Sequence, residues 1–418
     1  MDLRLASATM LSGEFRKLWI GQSISAIGSS VTFVALPLTA AFNLNATPQQ
    51  MGLLVAAGWL PYLFFSLFAG AWSDRLPRKP ILVVTDLARA AILVTIPLAA
   101  VAGVLRIEHV LIAAFVAGSM TVLFRAAYGP FIPALVGRDA LVDANAKLAL
   151  SESVARVVGP SLGGLLVQLI TAPFAILADA LSFVASALAV AAVRVSETPP
   201  PREERRSIWS EIGDGITVVI ANPFIRTVAI IGLLFNVAIT IGEAVYVLYA
   251  TRGLGLDGAM LGVVYTVGGL ASVAGATLVR RTTSRFGIGP SMVGSILLLT
   301  VAGLLVLAAG GPPIAAAAYF AARGAMTGFA ASVFNVTSNS VYQAAIPNRL
   351  QGRVAGAGQV LGLGLIPVSA IVGGWLGENV GLWNTLAISI GCQFLAFVYV
   401  ALSPLRGIRT ATDFPAVA

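Results

Sequence analysis

Residues 51–79 read MGLLVAAGWLPYLFFSLFAGAWSDRLPRK, and this stretch decides the class of the fold. Its first twenty residues carry no charge, and four charged residues, Asp74, Arg75, Arg78 and Lys79, then fall within six positions. Twenty apolar residues in an α-helix cover about 30 Å, which is the thickness of the hydrocarbon core of a bilayer. The stretch therefore predicts a transmembrane helix that ends in a charged turn.

The same pattern recurs along the whole chain of 418 residues. Hydrophobic residues make up 58% of it and charged residues 11%, a composition that soluble globular proteins do not have. Twelve apolar runs have the length of a membrane span, at about 18–42, 51–72, 81–105, 110–136, 146–170, 173–193, 223–249, 259–279, 288–309, 313–340, 354–376 and 382–403. The sequence therefore predicts an all-α integral membrane protein with twelve transmembrane helices.

The distribution of positive charge predicts how these helices are oriented. If the N-terminus is cytoplasmic, the inner segments hold most of the basic residues, and the outer loops hold only Arg106 and Arg252. We therefore expect a multi-pass protein of the inner (plasma) membrane with both termini in the cytoplasm, embedded in the lipid bilayer. The net charge of +8 is then a topology signal, and a nucleic-acid partner is not expected, because the basic residues are not gathered on one element.

A single long polar stretch divides the chain. Residues 194–222 contain three consecutive prolines and a mixed charge cluster, and their second part has apolar residues near helical spacing. This predicts an N-terminal six-helix half at 1–193, a cytoplasmic linker with an amphipathic helix at 194–222, and a C-terminal six-helix half at 223–418.

The two halves also carry matching motifs. GAWSDRLPR after the second run has a counterpart in GATLVRRTTSR at 275–285, and IPALVGR at 132–138 has one in IPNRLQGR at 346–353. The fifth run contains GPSLGG and the eleventh IPVSAIVGG, each with a proline before a pair of glycines. Internal repeats are a mark of secondary transporters, so we expect two parallel six-helix repeats with a cavity between them.

These motifs carry a family resemblance. GAWSDRLPRK resembles motif A of the major facilitator superfamily, and GPSLGG resembles motif C of its drug:proton antiporters. TDLARA at 85–90, IPALVGRDALVDANAKL at 132–148 and ADALSF at 178–183 are similar to the branch that holds macrolide-efflux and enterobactin-export proteins. The resemblance implies the major facilitator fold and the export of a drug, a macrolide-like metabolite or a siderophore by proton antiport and alternating access.

The resemblance also assigns roles to two sets of residues. Motif A implies a cytoplasmic latch that closes in the outward-open state, and its residues here are Gly70, Asp74, Arg75, Arg78 and Lys79. Motif C implies an element of α-helical packing that goes with export, and its residues here are Gly159, Pro160, Gly163 and Gly164. Close packing alone is an alternative reading of these glycines.

Four acids lie inside the apolar runs, where ionisable groups are costly and usually functional. Asp86 and Arg89 are three residues apart, and Glu152 and Arg156 are four apart, so each pair can share one helix face. We expect two neutralised structural pairs, with the alternative that Asp86 joins the motif A network.

Asp179 and Glu243 have no basic partner on their own helix. In the fold that the resemblance implies, Glu243, Arg125 and Arg323 face the central pathway and Asp179 lies at the periphery. We therefore interpret Glu243 as the first proton-coupling candidate, ahead of Asp86 and Asp179, and a fixed bridge from Glu243 to an arginine is the alternative.

The substrate and the energy source are predicted less directly. Aromatic and amide side chains on the predicted cavity helices suit an amphiphilic ligand, namely Phe33, Phe235, Asn236, Tyr246, Phe334, Asn335 and Asn339. We expect no cofactor, with the proton gradient as energy source, and a monomer without an obligatory protein partner. A proton-coupled uptake symporter and a non-transporting sensor with a transporter fold remain alternatives.

Other classes of protein are not expected. The chain has no GxxxxGK[ST] loop, so a primary ATP-driven pump is excluded. With one histidine and one cysteine it offers little for acid–base catalysis and no His/Cys metal site, so we predict that it is not an enzyme.

Overall fold

The computed structural model describes residues 13–73, 76–137, 140–195, 217, 219–221, 223–345 and 364–410. Within these residues the regular structure is helical throughout. The helices of the first half of the chain are α1 (Glu14–Leu38), α2 (Pro48–Ser73), α3 (Arg78–Val101), α4 (Ile107–Val136), α5 (Leu141–Ile170) and α6 (Ala172–Ala191). Those of the second half are α7 (Pro223–Leu248), α8 (Gly258–Phe286), α9 (Ile288–Leu307), α10 (Pro313–Ala345), α11 (Ile366–Asn379) and α12 (Leu382–Leu402).

Eleven of the predicted apolar runs coincide with helices, and the described part of the run at 354–376 lies mostly in α11, whereas residues 354–363 lie outside the described residues. One turn of π-helix continues α1 through Thr39–Asn43 and α7 through Tyr249–Gly253. Within the described part of the chain, nine of the helices are long and apolar enough to cross a membrane by length and composition alone. The spans predicted at α2, α10 and α11 remain predictions.

Several of the described connections between consecutive helices are short turns, and glycine makes two of them. Gly287 separates α8 from α9 with φ of 93°, and Gly381 separates α11 from α12 with the same φ. This left-handed backbone is open to glycine at little cost, whereas other residues adopt it with strain. The apolar runs can therefore follow one another with almost no intervening polar chain.

The chain forms two compact units. Unit 1 comprises residues 1–46, 57–203 and 257–266, and unit 2 comprises 47–56, 204–256 and 267–418. The start of α2 therefore belongs to unit 2, and the start of α8 belongs to unit 1. The predicted division into two six-helix halves stays a prediction, and most of the predicted linker lies outside the described residues.

Helix packing follows the internal repeat that the sequence motifs predict. In unit 1, α1 packs against α5 and α6, and α3 packs against α4 and α6. In unit 2, α7 packs against α11 and α12, and α9 packs against α10 and α12. Adding six to each helix number of unit 1 gives the helix contacts of unit 2. The two halves of the chain therefore share the same pattern of helix packing.

Candidate functional site

The charged turn after α2 is described in part. Residues 70–75 lie where the structure describes no side chains, so the proposed latch acid falls outside the described residues. Arg78 donates a hydrogen bond to the carbonyl oxygen of Pro130 at 3.3 Å, and the Lys79 ammonium donates one to the carbonyl of Val193 at 2.8 Å. Val193 lies just after the C-terminal end of α6, where the helix dipole favours a cation, and Pro130 lies less than two turns before the end of α4. The bases of motif A therefore also hold the start of α3 against two neighbouring helices.

The glycines of motif C lie at close helix contacts within unit 1. A Cβ atom on Gly159 would lie 2.2 Å from the Cβ of Ser30 on α1, and one on Gly164 would lie 2.3 Å from the carbonyl oxygen of Gly258 at the start of α8. Gly163 faces the backbone of α1. Pro160 is buried among them. The motif thus lets α5 approach two helices at distances that no side chain permits.

The matching glycines of the second half make the matching contacts within unit 2. A Cβ atom on Gly373 would lie 2.4 Å from the carbonyl oxygen of Ile241 on α7, and one on Gly374 would lie 2.8 Å from that of Pro48 at the start of α2. The first glycine of each pair therefore packs on α1 or α7, and the second packs on the start of α8 or α2. The sequence likeness between GPSLGG and IPVSAIVGG corresponds to equivalent packing.

Unit 2 contains an ion pair between two helices. The Arg323 guanidinium on α10 donates a hydrogen bond to the Glu243 carboxylate on α7 at 3.0 Å. The same guanidinium lies 4.3 Å from the centre of the Tyr246 ring, which is buried and packs on Phe320 with ring centres 5.0 Å apart. The Glu243 side chain is 36% exposed, whereas that of Arg323 is 16% exposed. The arginine is thus fixed by the aromatic pair, and the carboxylate is the accessible partner.

A narrow cavity with apolar and some polar lining adjoins Arg323 among α7, α9, α10 and α12. Its lining includes Phe235, Tyr246, Arg323, Ser389 and Gln393. The Gln393 amide donates a hydrogen bond to the Ser389 hydroxyl at 3.3 Å. The cavity has room for water and is too small for a drug-sized ligand. Phe235 and Tyr246, which the sequence suggested for substrate contact, therefore line a space for water.

Unit 1 contains a second group of charges, which is sealed. The Arg89 guanidinium on α3 contacts the Asp86 carboxylate one turn earlier, and the Ser186 hydroxyl on α6 donates a hydrogen bond to Asp86 at 2.6 Å. The guanidinium lies between two rings, 4.6 Å from the centre of Phe124 and 4.0 Å from that of Phe183. Asp86 is 0% exposed and Arg89 is 6% exposed. The structure thus pairs Asp86 with Arg89, as one of the two sequence interpretations had it.

Asp179 on α6 belongs to the same buried group, and the position away from the central pathway that the resemblance implies for it stays a prediction. It is 2% exposed, and its carboxylate accepts hydrogen bonds from Ser182 at 3.1 Å and from Ser29 on α1 at 3.3 Å. Sequence reasoning did not connect these residues. Asp179, Ser182 and Ser186 lie at positions i, i+3 and i+7 of an apolar helix, which is a polar stripe on one face and would have been the available signal.

The other charged candidates lie at the surface. Arg125 is exposed on α4. The Glu152 and Arg156 side chains on α5 are 3.8 Å apart and are 64% and 63% exposed. This is a loose pair on one helix face, in contrast to the buried pair of α3.

The remaining substrate candidates do not converge within either unit. Phe33 is exposed on α1 and makes an edge contact with Tyr265 at 5.6 Å between ring centres. Asn236 is half-buried on α7, and Phe334 packs against the apolar core of unit 2. Asn335 and Asn339 are exposed on α10. Their role in substrate contact stays a prediction.

Three comparisons place the chain among known proteins. The sequence model of the Major Facilitator Superfamily matches residues 18–366. The chain is 26% identical over 395 residues to the multidrug efflux pump Tap of Mycolicibacterium fortuitum, covering 92% of this chain and 94% of that protein. It is 26% identical over 228 residues to macrolide efflux protein A of Streptococcus pyogenes, covering 53% and 55% of the two chains.

The fold agrees with this sequence match. The crystal structure of the nucleoside transporter NupG superposes with a TM-score of 0.74 at 15% identity, over 93% of this chain and 99% of that one. At this identity the likeness concerns the fold alone. Together with the family match over most of the chain, it shows that the protein is a non-enzymatic, multi-pass membrane transporter that belongs to the major facilitator superfamily.

Proposed function

We propose that this transporter exports small amphiphilic molecules in exchange for protons, by alternating access. The observation that carries the proposal is the Glu243–Arg323 ion pair at 3.0 Å, in which an accessible carboxylate faces a fixed arginine. The direction of transport is supported by the relatives, which are named as a multidrug efflux pump and a macrolide efflux protein. The substrate is a drug, a macrolide-like metabolite or a siderophore.

The geometry gives Glu243 a way to exchange a proton. In the paired state its carboxylate accepts a hydrogen bond from the guanidinium of Arg323. Protonation removes the charge and therefore weakens the link between α7 and α10, while Arg323 keeps its stacking contact with Tyr246. The neighbouring cavity has room for water and reaches Arg323, so water can lie beside one partner of the pair. Proton binding at one side chain is thereby coupled to the contact between two helices.

The same proposal covers the setting in which the transporter works. It acts as a monomer in the inner membrane with both termini in the cytoplasm, as the excess of basic residues in alternate loops predicts. Its energy source is the proton gradient, and it needs no cofactor. The close glycine contacts of α5 and α11 join pieces of both halves of the chain, which suits a protein in which helices change neighbours during transport.

Transport into inverted membrane vesicles tests the proposal. Vesicles from cells that express the protein are given a proton gradient with the acidic side inside. Accumulation of radiolabelled erythromycin and of ethidium is then measured with and without a protonophore. Wild-type protein should accumulate at least one of these probes, and the protonophore should abolish accumulation. Glu243→Gln should behave like wild-type protein with protonophore, at equal expression.

The matched control is Glu152→Gln, which removes an acid from an exposed pair on α5 and should leave accumulation unchanged. Accumulation by Glu243→Gln at the wild-type level would contradict the assignment of Glu243. Uptake only into right-side-out vesicles would indicate the symporter instead. Absence of transport of a broad panel of amphiphiles in both orientations would favour the sensor.

A further inference from the structure

Unit 1 buries three ionisable side chains that the proposed function does not use. They are Asp86 and Arg89 on α3 and Asp179 on α6, with exposed fractions of 0%, 6% and 2%. The group has two acids and one base. If all three were ionised, one negative charge would be left without a partner inside the protein.

The positions of the side chains show which of the two carboxylates is paired with Arg89. Arg89 contacts Asp86, and Asp86 accepts a further hydrogen bond from Ser186 at 2.6 Å. Among the described residues, Asp179 makes no ion pair, and its carboxylate is held by the hydroxyl groups of Ser182 and Ser29. Asp86 therefore has the environment of an ionised carboxylate, and Asp179 does not.

A second observation shows that Arg89 has an unused hydrogen-bond donor within this buried group. The buried Nε of Arg89 has no hydrogen-bond partner within the described part of the chain. A buried guanidinium with an unused donor, next to an acid that is not paired with it, has the capacity to bind a second carboxylate. The group therefore has two possible arrangements, and the structure shows one of them.

The helices that pack against α6 bring no other charge close to Asp179. Lys17 and Lys79 bind the carbonyl groups of residues 192 and 193, which are about 20 Å further along α6. The Tyr62 phenol on α2 is a further neighbour of Arg89. The remaining ionisable residues of the packing helices are Glu14 and Arg16 at the start of α1, Arg78 at the start of α3, and Asp143, Lys147, Glu152 and Arg156 on α5.

We infer that Asp179 is a second proton-binding site of this transporter and that it holds a proton in the conformation described by this structure. A carboxylate in an apolar interior without a cationic partner is so costly that the group binds a proton instead. The proton adds to a carboxylate oxygen of Asp179, and the cluster becomes neutral overall. The Thr32 hydroxyl lies beside this carboxyl and has no other partner in the described residues.

Release of the proton to water would have a structural consequence within unit 1. The ionised Asp179 would attract Arg89, which would then be shared between α3 and α6 or would leave Asp86. Because α3 and α6 pack directly on each other and on α1 or α4, an ion pair across them would change the helix contacts of unit 1. The proton site itself does not depend on the direction of transport, and only its role in coupling rests on the proposed function.

Infrared spectroscopy of the full-length protein in lipid vesicles tests for the proton directly. At neutral pH exposed carboxyl groups are ionised, so the carbonyl-stretch band of a protonated carboxylic acid comes only from buried groups. Wild-type protein should show such a band, and Asp179→Asn should lose the intensity of one carboxyl group. Glu152→Gln, which alters an exposed pair outside the cluster, should retain it. A band that is absent from wild-type protein, or unchanged in Asp179→Asn, would overturn the inference.

Thermal unfolding of the same variants gives an independent reading. Asparagine resembles a protonated aspartic acid in size and charge, so Asp179→Asn should keep the unfolding midpoint of wild-type protein within a few degrees. Asp86→Asn should lower it clearly, because it leaves the buried Arg89 without its carboxylate. Equal losses in both variants would mean that Asp179 is ionised and would contradict the inference. Neither measurement involves transport, so a failure here is distinct from a failure of the exporter proposal.

Discussion

The two charge sites of this transporter differ in how they are buried. In unit 1, Arg89 is enclosed by Phe124 and Phe183 and contacts a fully buried acid. In unit 2, Arg323 rests on one buried ring and pairs with an acid that is 36% exposed beside a water-sized cavity. Both use an arginine stacked on aromatic rings to hold a carboxylate. The first site therefore keeps its charges away from water, whereas the carboxylate of the second is accessible to water.

The largest expected effect is on the sealed site. Asp86→Asn removes the acid that contacts the buried Arg89, and removal of one member of a buried pair costs about 3–5 kcal/mol. The midpoint of thermal unfolding in detergent should fall accordingly. If this variant is as stable as Glu243→Gln, the contrast between the two sites is wrong.

The next effect concerns the glycine pairs of α5 and α11. Their contacts are equivalent, but the contact distances differ. A Cβ atom at Gly373 would lie 2.4 Å from a carbonyl oxygen of α7, whereas one at Gly163 would lie 3.1 Å from a carbonyl oxygen of α1. Gly373→Ala should therefore destabilise the protein by about 1–3 kcal/mol, as overpacking does, and Gly163→Ala by less.

Gly232→Ala is the control for these two variants. It lies in the interior of α7 with nothing within 4 Å of an added Cβ, so it should be neutral or stabilising by up to about 1 kcal/mol. Equal losses for Gly163→Ala and Gly373→Ala would remove the difference between the two packings.

A smaller effect on stability is expected at the accessible site, together with a large effect on transport. Glu243→Gln should cost about 1 kcal/mol in stability, because the carboxylate is partly exposed and water replaces part of its pairing with Arg323. Proton-driven accumulation of a transported probe in inverted vesicles should fall to the level seen with a protonophore. A loss of folding as large as that of Asp86→Asn would show that this pair is structural.

The smallest effect is expected for the exposed pair of α5. Glu152→Gln removes a contact of 3.8 Å between side chains that are both more than half exposed. Pairs of this kind contribute between 0 and about 1 kcal/mol, so unfolding and transport should both remain near wild type. A strong transport defect with normal expression would assign Glu152 a role that its geometry does not suggest.

The sequence predicted the helices far better than it predicted the contacts of their charged residues. The run at 288–309 became the helix Ile288–Leu307, and the run at 173–193 became Ala172–Ala191. The likeness of GPSLGG and IPVSAIVGG predicted equivalent packing, which the glycine contacts of α5 and α11 show. By contrast, the sequence did not indicate that Asp179 lies in the buried cluster with Arg89.

The reason is that helix formation depends on neighbouring residues, whereas contacts between charged side chains depend on residues far apart in the sequence. A bilayer-length helix follows from about twenty consecutive apolar residues, because each backbone group finds its partner within its own segment. The sequence by itself therefore determined the helices, the repeat and the family. Whether Asp179 meets Arg89, or Glu243 meets Arg323 eighty residues away, depends on which helix faces pack together. Only the tertiary structure decided those contacts, because the rotation of each helix is fixed by close packing against its neighbours.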